Sequence, residues 1–303
     1  MEKTVAKKLT KTAFEKVLYT EKELMELRRC AEDPIYMMES FMRVLHPVKG
    51  EVPFKLFEYQ KRMIQAYLGH RQVISLTGRQ LGKTECAVGF LLWYAMFHPT
   101  SNILIAANKY DQALEIMKRV KFAYESLPDH IRAGVKYYAM ERVEFDNGST
   151  IRAEATTENT GRGKSISVLY LDEFAFVPPN IAKEFWTAIR PTLSTGGKCI
   201  ITSTPNNNDD QFAQIYRAAE NNLDEFGNLR PNGEGVNGFF HINVPWSEHP
   251  DRGEEWAKEE EANIGHDRFL REHCCVVQYT IISLSDCNNN IFDMTMGDLF
   301  ASL

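Results

Sequence analysis

The run Thr77-Gly78-Arg79-Gln80-Leu81-Gly82-Lys83-Thr84 lies between the short apolar stretch QVISL and a long apolar segment that opens at Lys83. Few folds accommodate that order. A glycine-bearing loop between a buried strand and a helix turns successive backbone N–H groups toward one point, and the helix N-terminus adds its dipole there. The ligand such a point suits is a phosphate. Gly78, Arg79, Gln80, Leu81 and Gly82 supply the backbone of the cradle. Lys83 supplies charge for the β- and γ-phosphates, and the Thr84 hydroxyl is placed to ligate Mg2+. The general pattern has glycine five positions before the second glycine; here Thr77 stands there and Gly78 comes one position later. The match is to a variant form.

The segments around this loop read as an alternation of strands and helices. Residues 72–77, 102–107, 167–171, 198–202 and 239–244 are short apolar runs, and helical spacing marks 21–32, 34–45, 58–68, 83–97 and 110–127. Residues 143–145 and 149–153, joined by Asp146-Asn147-Gly148, predict a hairpin. Apolar strands separated by helices imply an α/β fold with a mainly parallel sheet covered on both faces. The Asn-, Gly- and Pro-rich stretch 221–237 reads as a linker, and 253–273 as two charged helices. Residues 1–20 read as a mobile basic arm, and 279–303 show no clear periodicity.

Three further motifs suit phosphate chemistry. Val168-Leu169-Tyr170-Leu171-Asp172-Glu173 ends an apolar run in two acids, at the carboxyl end of a strand where open α/β sheets bind ligands. Asp172 would hold Mg2+, directly or through water, and Glu173 would polarise the attacking water. Thr202-Ser203-Thr204-Pro205 ends another strand; its hydroxyls either sense a γ-phosphate or simply close a strand before a proline turn. Phe57-Glu58-Tyr59-Gln60 precedes the first sheet strand; an amide and an aromatic there suit adenine, and equally suit helix surface and core.

Composition narrows the partners. The 303 residues carry a net charge of -6 with pI near 5.8, so nucleic acid would have to be met by a local patch or by a ring of subunits. No apolar run reaches the roughly 20 residues of a membrane-spanning helix, and the amino terminus lacks a secretory signal's apolar region. The six cysteines include no CxxC pair and read as packed, reduced thiols; the default location is cytoplasmic.

Taken in order, TGRQLGKT, VLYLDEFAF and TSTPN, with FEYQ upstream and VPWSEHP and EEWAKEEEANIGHDRFLREH downstream, resemble the ATPase domain of tailed-bacteriophage large terminase subunits, particularly the contractile-tailed phage type. The resemblance covers roughly residues 34–278. It implies a RecA/ASCE-like P-loop NTPase with an amino-terminal arm and helix (1–33), an ATPase core (34–220), the linker, a lid subdomain (238–278) and an unassigned tail (279–303). It implies ATP and Mg2+ as cofactors and catalytic roles for Glu173, Lys83 and Arg79, the last as a finger or sensor at the γ-phosphate. Tyr59 and Gln60 become adenine contacts, and Thr202, Ser203 and Thr204 the motif that couples hydrolysis to DNA movement. Arg162, in Gly161-Arg162-Gly163, matches an arginine that acts near a neighbouring subunit's nucleotide or else fixes its own loop. The implied setting is a homo-oligomeric ring that drives double-stranded DNA into a procapsid, with portal protein and small terminase subunit as partners, in the cytoplasm of an infected host.

Large terminases normally continue into an RNase H-like nuclease. After Glu272 only 31 residues follow (303 − 272), and Asp286, Asp293 and Asp298 do not lie on a sheet that could converge them, so the expectation is a motor without nuclease activity. Two other readings stay open: a fragment of a superfamily-2-like helicase or repair ATPase, and a shortened terminase that regulates the packaging motor.

Overall fold

A computed structural model of the chain describes residues 8–194, 196–207, 209–274, 281–285 and 291–295. Helices α1 (Glu21–Glu32) and α2 (Pro34–Phe41) lead into a hairpin of β1 (Arg43–His46) and β2 (Gly50–Pro53). There follow α3 (Glu58–Gly69), β3 (Gln72–Thr77), α4 (Lys83–Phe97), β4 (Asn102–Ala107) and α5 (Tyr110–Ser126). Strands β5 (Val135–Tyr138), β6 (Arg142–Phe145), β7 (Thr150–Ala155) and β8 (Val168–Asp172) precede α6 (Pro179–Ser194), β9 (Lys198–Ser203) and α7 (Gln211–Glu220). The chain continues through β10 (Phe240–Val244), α8 (Glu254–Ile264) and α9 (His266–Glu272) to an antiparallel pair, β11 (Ile281–Ser285) and β12 (Ile291–Thr295).

Eight strands form one sheet in the order β10-β3-β9-β8-β4-β7-β6-β5. The first six are mutually parallel, and β6 and β5 add an antiparallel edge. The α/β fold expected from the alternation of strands and helices is therefore present. Period-two alternation explains why these strands need cover on both sides. In β8, Val168 and Tyr170 enter the core beneath α2–α5, while Leu169 and Leu171 enter a second core beneath α6 and α7. Helix α4 is apolar almost all round because it lies between the sheet and other helices. Phe90 on it is fully buried, and its truncation to alanine would cost about 3–5 kcal/mol.

Several local features depart from the sequence reading. The helix expected over 34–45 stops at Phe41, and Arg43 instead starts a hairpin. There Glu51 pairs with Arg43 at 2.6 Å, and His46 Nδ1 accepts from the N–H groups of Val48 and Lys49. Helices α6 and α7 were not anticipated. Their signal was present, since Ala182, Phe185, Ile189 and Leu193 of α6 and Phe212, Ile215, Tyr216 and Ala219 of α7 recur at helical spacing and fill the second core.

The arm is not free throughout. Arg132, buried, donates to the carbonyls of Lys8 and Leu9, and Val135 N–H donates to Lys11, so residues 8–12 are tied beside β5. Strand β10 joins the main sheet beside β3, so the segment read as a lid contributes its first strand to the core. Cys30, Cys86 and Cys199 are buried thiols. Cys275, Cys287, Asp286 and Asp298 lie outside the described residues, and Asp293 falls on β12.

Candidate nucleotide site

Strands β3, β9 and β8 are neighbours, with Leu76 beside Ser203 and Asp172 beside Thr202. That register gathers the phosphate loop, the hydroxyl motif and the acid pair at one carboxyl edge, although about ninety residues separate the loop from the acids. Lys83, first residue of α4 and only 7% exposed, places its Nζ 2.7 Å from Glu173 Oε1. This ion pair joins the start of the helix to the end of β8.

The two acids are held by different hydroxyls. Asp172 Oδ1 accepts from Tyr170 at 2.7 Å and from Thr202 at 3.0 Å. Glu173 Oε2 accepts from the Ser203 hydroxyl at 3.2 Å and from the Thr204 N–H and hydroxyl at 3.1 and 3.3 Å. The backbone supports this division: Glu173 has φ +49°, a left-handed conformation that costs a non-glycine residue about 1–3 kcal/mol. Such a residue persists only where its surroundings over-determine it, as the four polar contacts to its carboxylate do here.

The electrostatics separate the pair further. Burial pushes the Asp172 carboxyl above its usual range, against the pull of the Lys83 charge. Burial also acts upward on Glu173, but the Lys83 charge and the bonds from Lys83, Thr204 and Ser203 together hold it below the usual range. Glu173 is thus kept ionised beside a cation.

The loop is held by its carbonyls. Leu81 C=O accepts from Gln60 Nε2 and from the Tyr59 hydroxyl, both at 3.1 Å. Arg252 donates to Arg79 C=O at 3.0 Å and, less closely, to Gln80 C=O at 3.4 Å. Gly82, at φ +73°, makes the turn into α4; a Cβ there would sit 2.6 Å from Gln60 Nε2. Gly78 and Arg79 donate their N–H groups to the carbonyls of Val244 and Glu272. The N–H groups of Gln80, Leu81 and Gly82 donate to none of the described residues. The Thr84 hydroxyl and Asp172 Oδ2 likewise make no hydrogen bond among the described residues. Two oxygen donors flanking the Lys83–Glu173 pair suit a hard divalent cation that keeps part of its water.

The site thus brings together Lys83, Asp172, Glu173, Thr202, Ser203 and Thr204, with Thr84 next to Lys83. Other expected residues are placed differently. The Arg79 guanidinium is paired with Glu272 of α9. Gln60 is buried with both ends used, its Oε1 accepting from Phe57 N–H, and Tyr59 serves the same loop carbonyl. In this conformation both side chains brace the loop. Arg162 is exposed on a turn between two glycines of positive φ and makes no ion pair among the described residues. Sequence reasoning missed Arg252, Glu272 and the Val244 carbonyl, whose partners lie more than 160 residues away. Tyr170 stood in the acid-strand motif, but nothing in its spacing marked the hydroxyl as polar machinery.

Residues 74–287 match a family model described as terminase large subunit, T4likevirus-type, N-terminal. The terminase large subunit of Thermus virus P23-45 is 30% identical over 174 residues, covering 50% of this chain and 35% of that protein. The chain therefore matches only about a third of that relative's length. Among solved structures, the large terminase ATPase domain of Thermus phage P74-26 aligns with a TM-score of 0.59 at 25% identity, covering 73% of this chain and 94% of that one. The HK97 bacteriophage large terminase shares the fold with a TM-score of 0.65 at 17% identity, covering 83% of this chain and 56% of that one.

Proposed function

The chain belongs to the terminase large-subunit family of T4-like-virus type, in its N-terminal part, and on that premise we propose that it hydrolyses ATP at the carboxyl edge of its sheet to drive double-stranded DNA into a procapsid. The observation that carries this reading is the Lys83–Glu173 pair at 2.7 Å, flanked by Asp172 and gripped by Thr202–Thr204. In our assignment the free N–H groups of Gln80, Leu81 and Gly82 cradle the phosphates, and Lys83 leaves Glu173 for the β- and γ-phosphate oxygens. Thr84 and Asp172 would hold Mg2+ beside those phosphates, where its charge offsets the charge of the transferring group. Released from Lys83, Glu173 Oε1 becomes available to accept a proton from the attacking water. Its Oε2 stays on Ser203 and Thr204, so a change at Glu173 reaches β9 directly, which suits a coupling motif.

Arg79 reaches a γ-phosphate only by leaving Glu272, so nucleotide arrival and the position of α9 are linked. We assign 34–220 as the ATPase core, 221–237 as the linker and 238–278 as a lid whose first strand remains in the sheet. The acidic net charge fits a ring in which only the pore-facing surface meets DNA, at a portal in the host cytoplasm, with the small terminase subunit as a further partner. Arg162 is exposed enough to serve a neighbouring subunit in such a ring.

Removal of the catalytic carboxylate tests this. Glu173→Gln should lower ATP turnover about 10³-fold while nucleotide still binds, and should stop DNA uptake by portal-bearing empty heads. Turnover at the parental rate would sink the assignment; unwinding of a forked duplex by the parental chain would favour a helicase.

A further inference from the structure

Tyr170 lies two residues before Asp172 on β8, with its ring fully buried among the apolar residues beneath α3 and α4. Its hydroxyl is the one polar atom of that side chain, and it reaches the carboxyl edge. It lies 2.7 Å from Asp172 Oδ1 and 2.9 Å from Thr202 Oγ1, and Thr202 Oγ1 in turn lies 3.0 Å from the same carboxylate oxygen. Three oxygens thus form a closed triangle. With Asp172 ionised, the triangle contains two protons, one on each hydroxyl, so only two of its three edges can be hydrogen bonds at a time. In each of the three possible arrangements Oδ1 is occupied, and Oδ2 is the oxygen left over.

On the reading of Asp172 as a cation ligand, we propose that Tyr170 is a positioning residue that fixes this carboxylate, so that Oδ2 is presented to the divalent cation and Oδ1 is committed to β9 through Thr202. The physical reason is rotational. A carboxylate at a strand end turns easily about its last bond, and a hydroxyl on a rigid, buried ring holds one oxygen in place. Partners of this kind, which orient a ligand without touching the metal, typically matter by 10–100-fold in metal affinity. Because the two hydroxyls share one oxygen, losing the Tyr170 hydroxyl also leaves Thr202 free to reorient, and the acid strand becomes less firmly tied to β9.

The test is Tyr170→Phe, which keeps the buried ring and removes only the hydroxyl. Affinity for Mn2+ alone, read by electron paramagnetic resonance on the nucleotide-free protein, should fall about tenfold. Affinity for ATP in the presence of EDTA should stay within about twofold. Thr202→Val should weaken Mn2+ binding less, and the double variant should lose less than the product of the two single losses, because the two hydroxyls serve one oxygen. Unchanged Mn2+ affinity in Tyr170→Phe, or an equal loss of metal-free ATP binding, overturns the proposal. Asp172→Asn separates the two levels of inference. If Asp172→Asn leaves Mn2+ affinity intact, the cation assignment itself fails; if it abolishes Mn2+ binding while Tyr170→Phe does not weaken it, only the role of Tyr170 fails.

Discussion

The acid pair and the phosphate loop lie at the same edge of the sheet but are held in different ways. Apart from the Lys83 pair, Asp172 and Glu173 are gripped from their own strand and its neighbour, by Tyr170 of β8 and by the side chains of Thr202–Thr204 and the Thr204 N–H at the end of β9. The loop is gripped by residues from elsewhere in the chain: Tyr59 and Gln60 of α3 on one side, Val244, Arg252 and Glu272 on the other. Strand register sets the first arrangement, and register cannot shift by less than a residue pair without exposing a core face. The second depends on single hydrogen bonds and ion pairs between separate elements, which can exchange partners. The acids thus form the fixed half of the site and the loop the half that can respond to nucleotide.

Substitutions can break this contrast. The largest effect is expected for Lys83→Ala, which removes a cation that joins the two halves. Nucleotide affinity should fall by about 3 kcal/mol, roughly a hundredfold, the upper range for a charge-assisted hydrogen bond; isothermal titration measures it. Retained affinity would mean that the backbone cradle alone carries the phosphates.

Gln60→Ala comes next. It leaves the Phe57 N–H without its acceptor and removes one of two donors to Leu81 C=O, at a cost of about 1–3 kcal/mol in stability. ATP and GTP binding should weaken in parallel, because the loss is in the loop. A selective loss of ATP would show that Gln60 turns to read adenine when nucleotide arrives. The smallest effect is expected at half-buried Arg252, which lies over the Trp256 ring as well as on the loop carbonyls. Arg252→Gln should cost about 1 kcal/mol and speed amide exchange at residues 78–82, while exchange in β8 stays unchanged. Equal acceleration in both would erase the distinction between a fixed and a responsive half.

Much of the site was legible because its chemistry is local. A phosphate loop must follow a strand and open a helix, so Gly82, Lys83 and Thr84 carry their own structural context. The acids of VLYLDE similarly announce a strand end. Gln60 and Tyr59 were legible as a motif but not as loop braces, because an amide looks the same whether it faces a base or a carbonyl. Arg79 illustrates the same limit: the sequence places it in the loop, but its partner Glu272 is 193 residues further on (272 − 79). Helices α6 and α7 were missed although their apolar spacing was present, and the β1–β2 hairpin was hidden by a helical pattern that continued past Phe41.

By itself the sequence determined the class of fold, the order of the parallel strands along the chain, and the residue types able to handle phosphate, because periodicity and loop chemistry are properties of neighbouring residues. Beyond the β6–β7 hairpin, it did not determine which strands lie side by side. Only the tertiary structure put β9 between β3 and β8, and with that gave each hydroxyl of Thr202–Thr204 a particular carboxylate and left Asp172 one oxygen free. Those assignments depend on lateral register between distant segments, which is decided by how both faces of the sheet are covered at once.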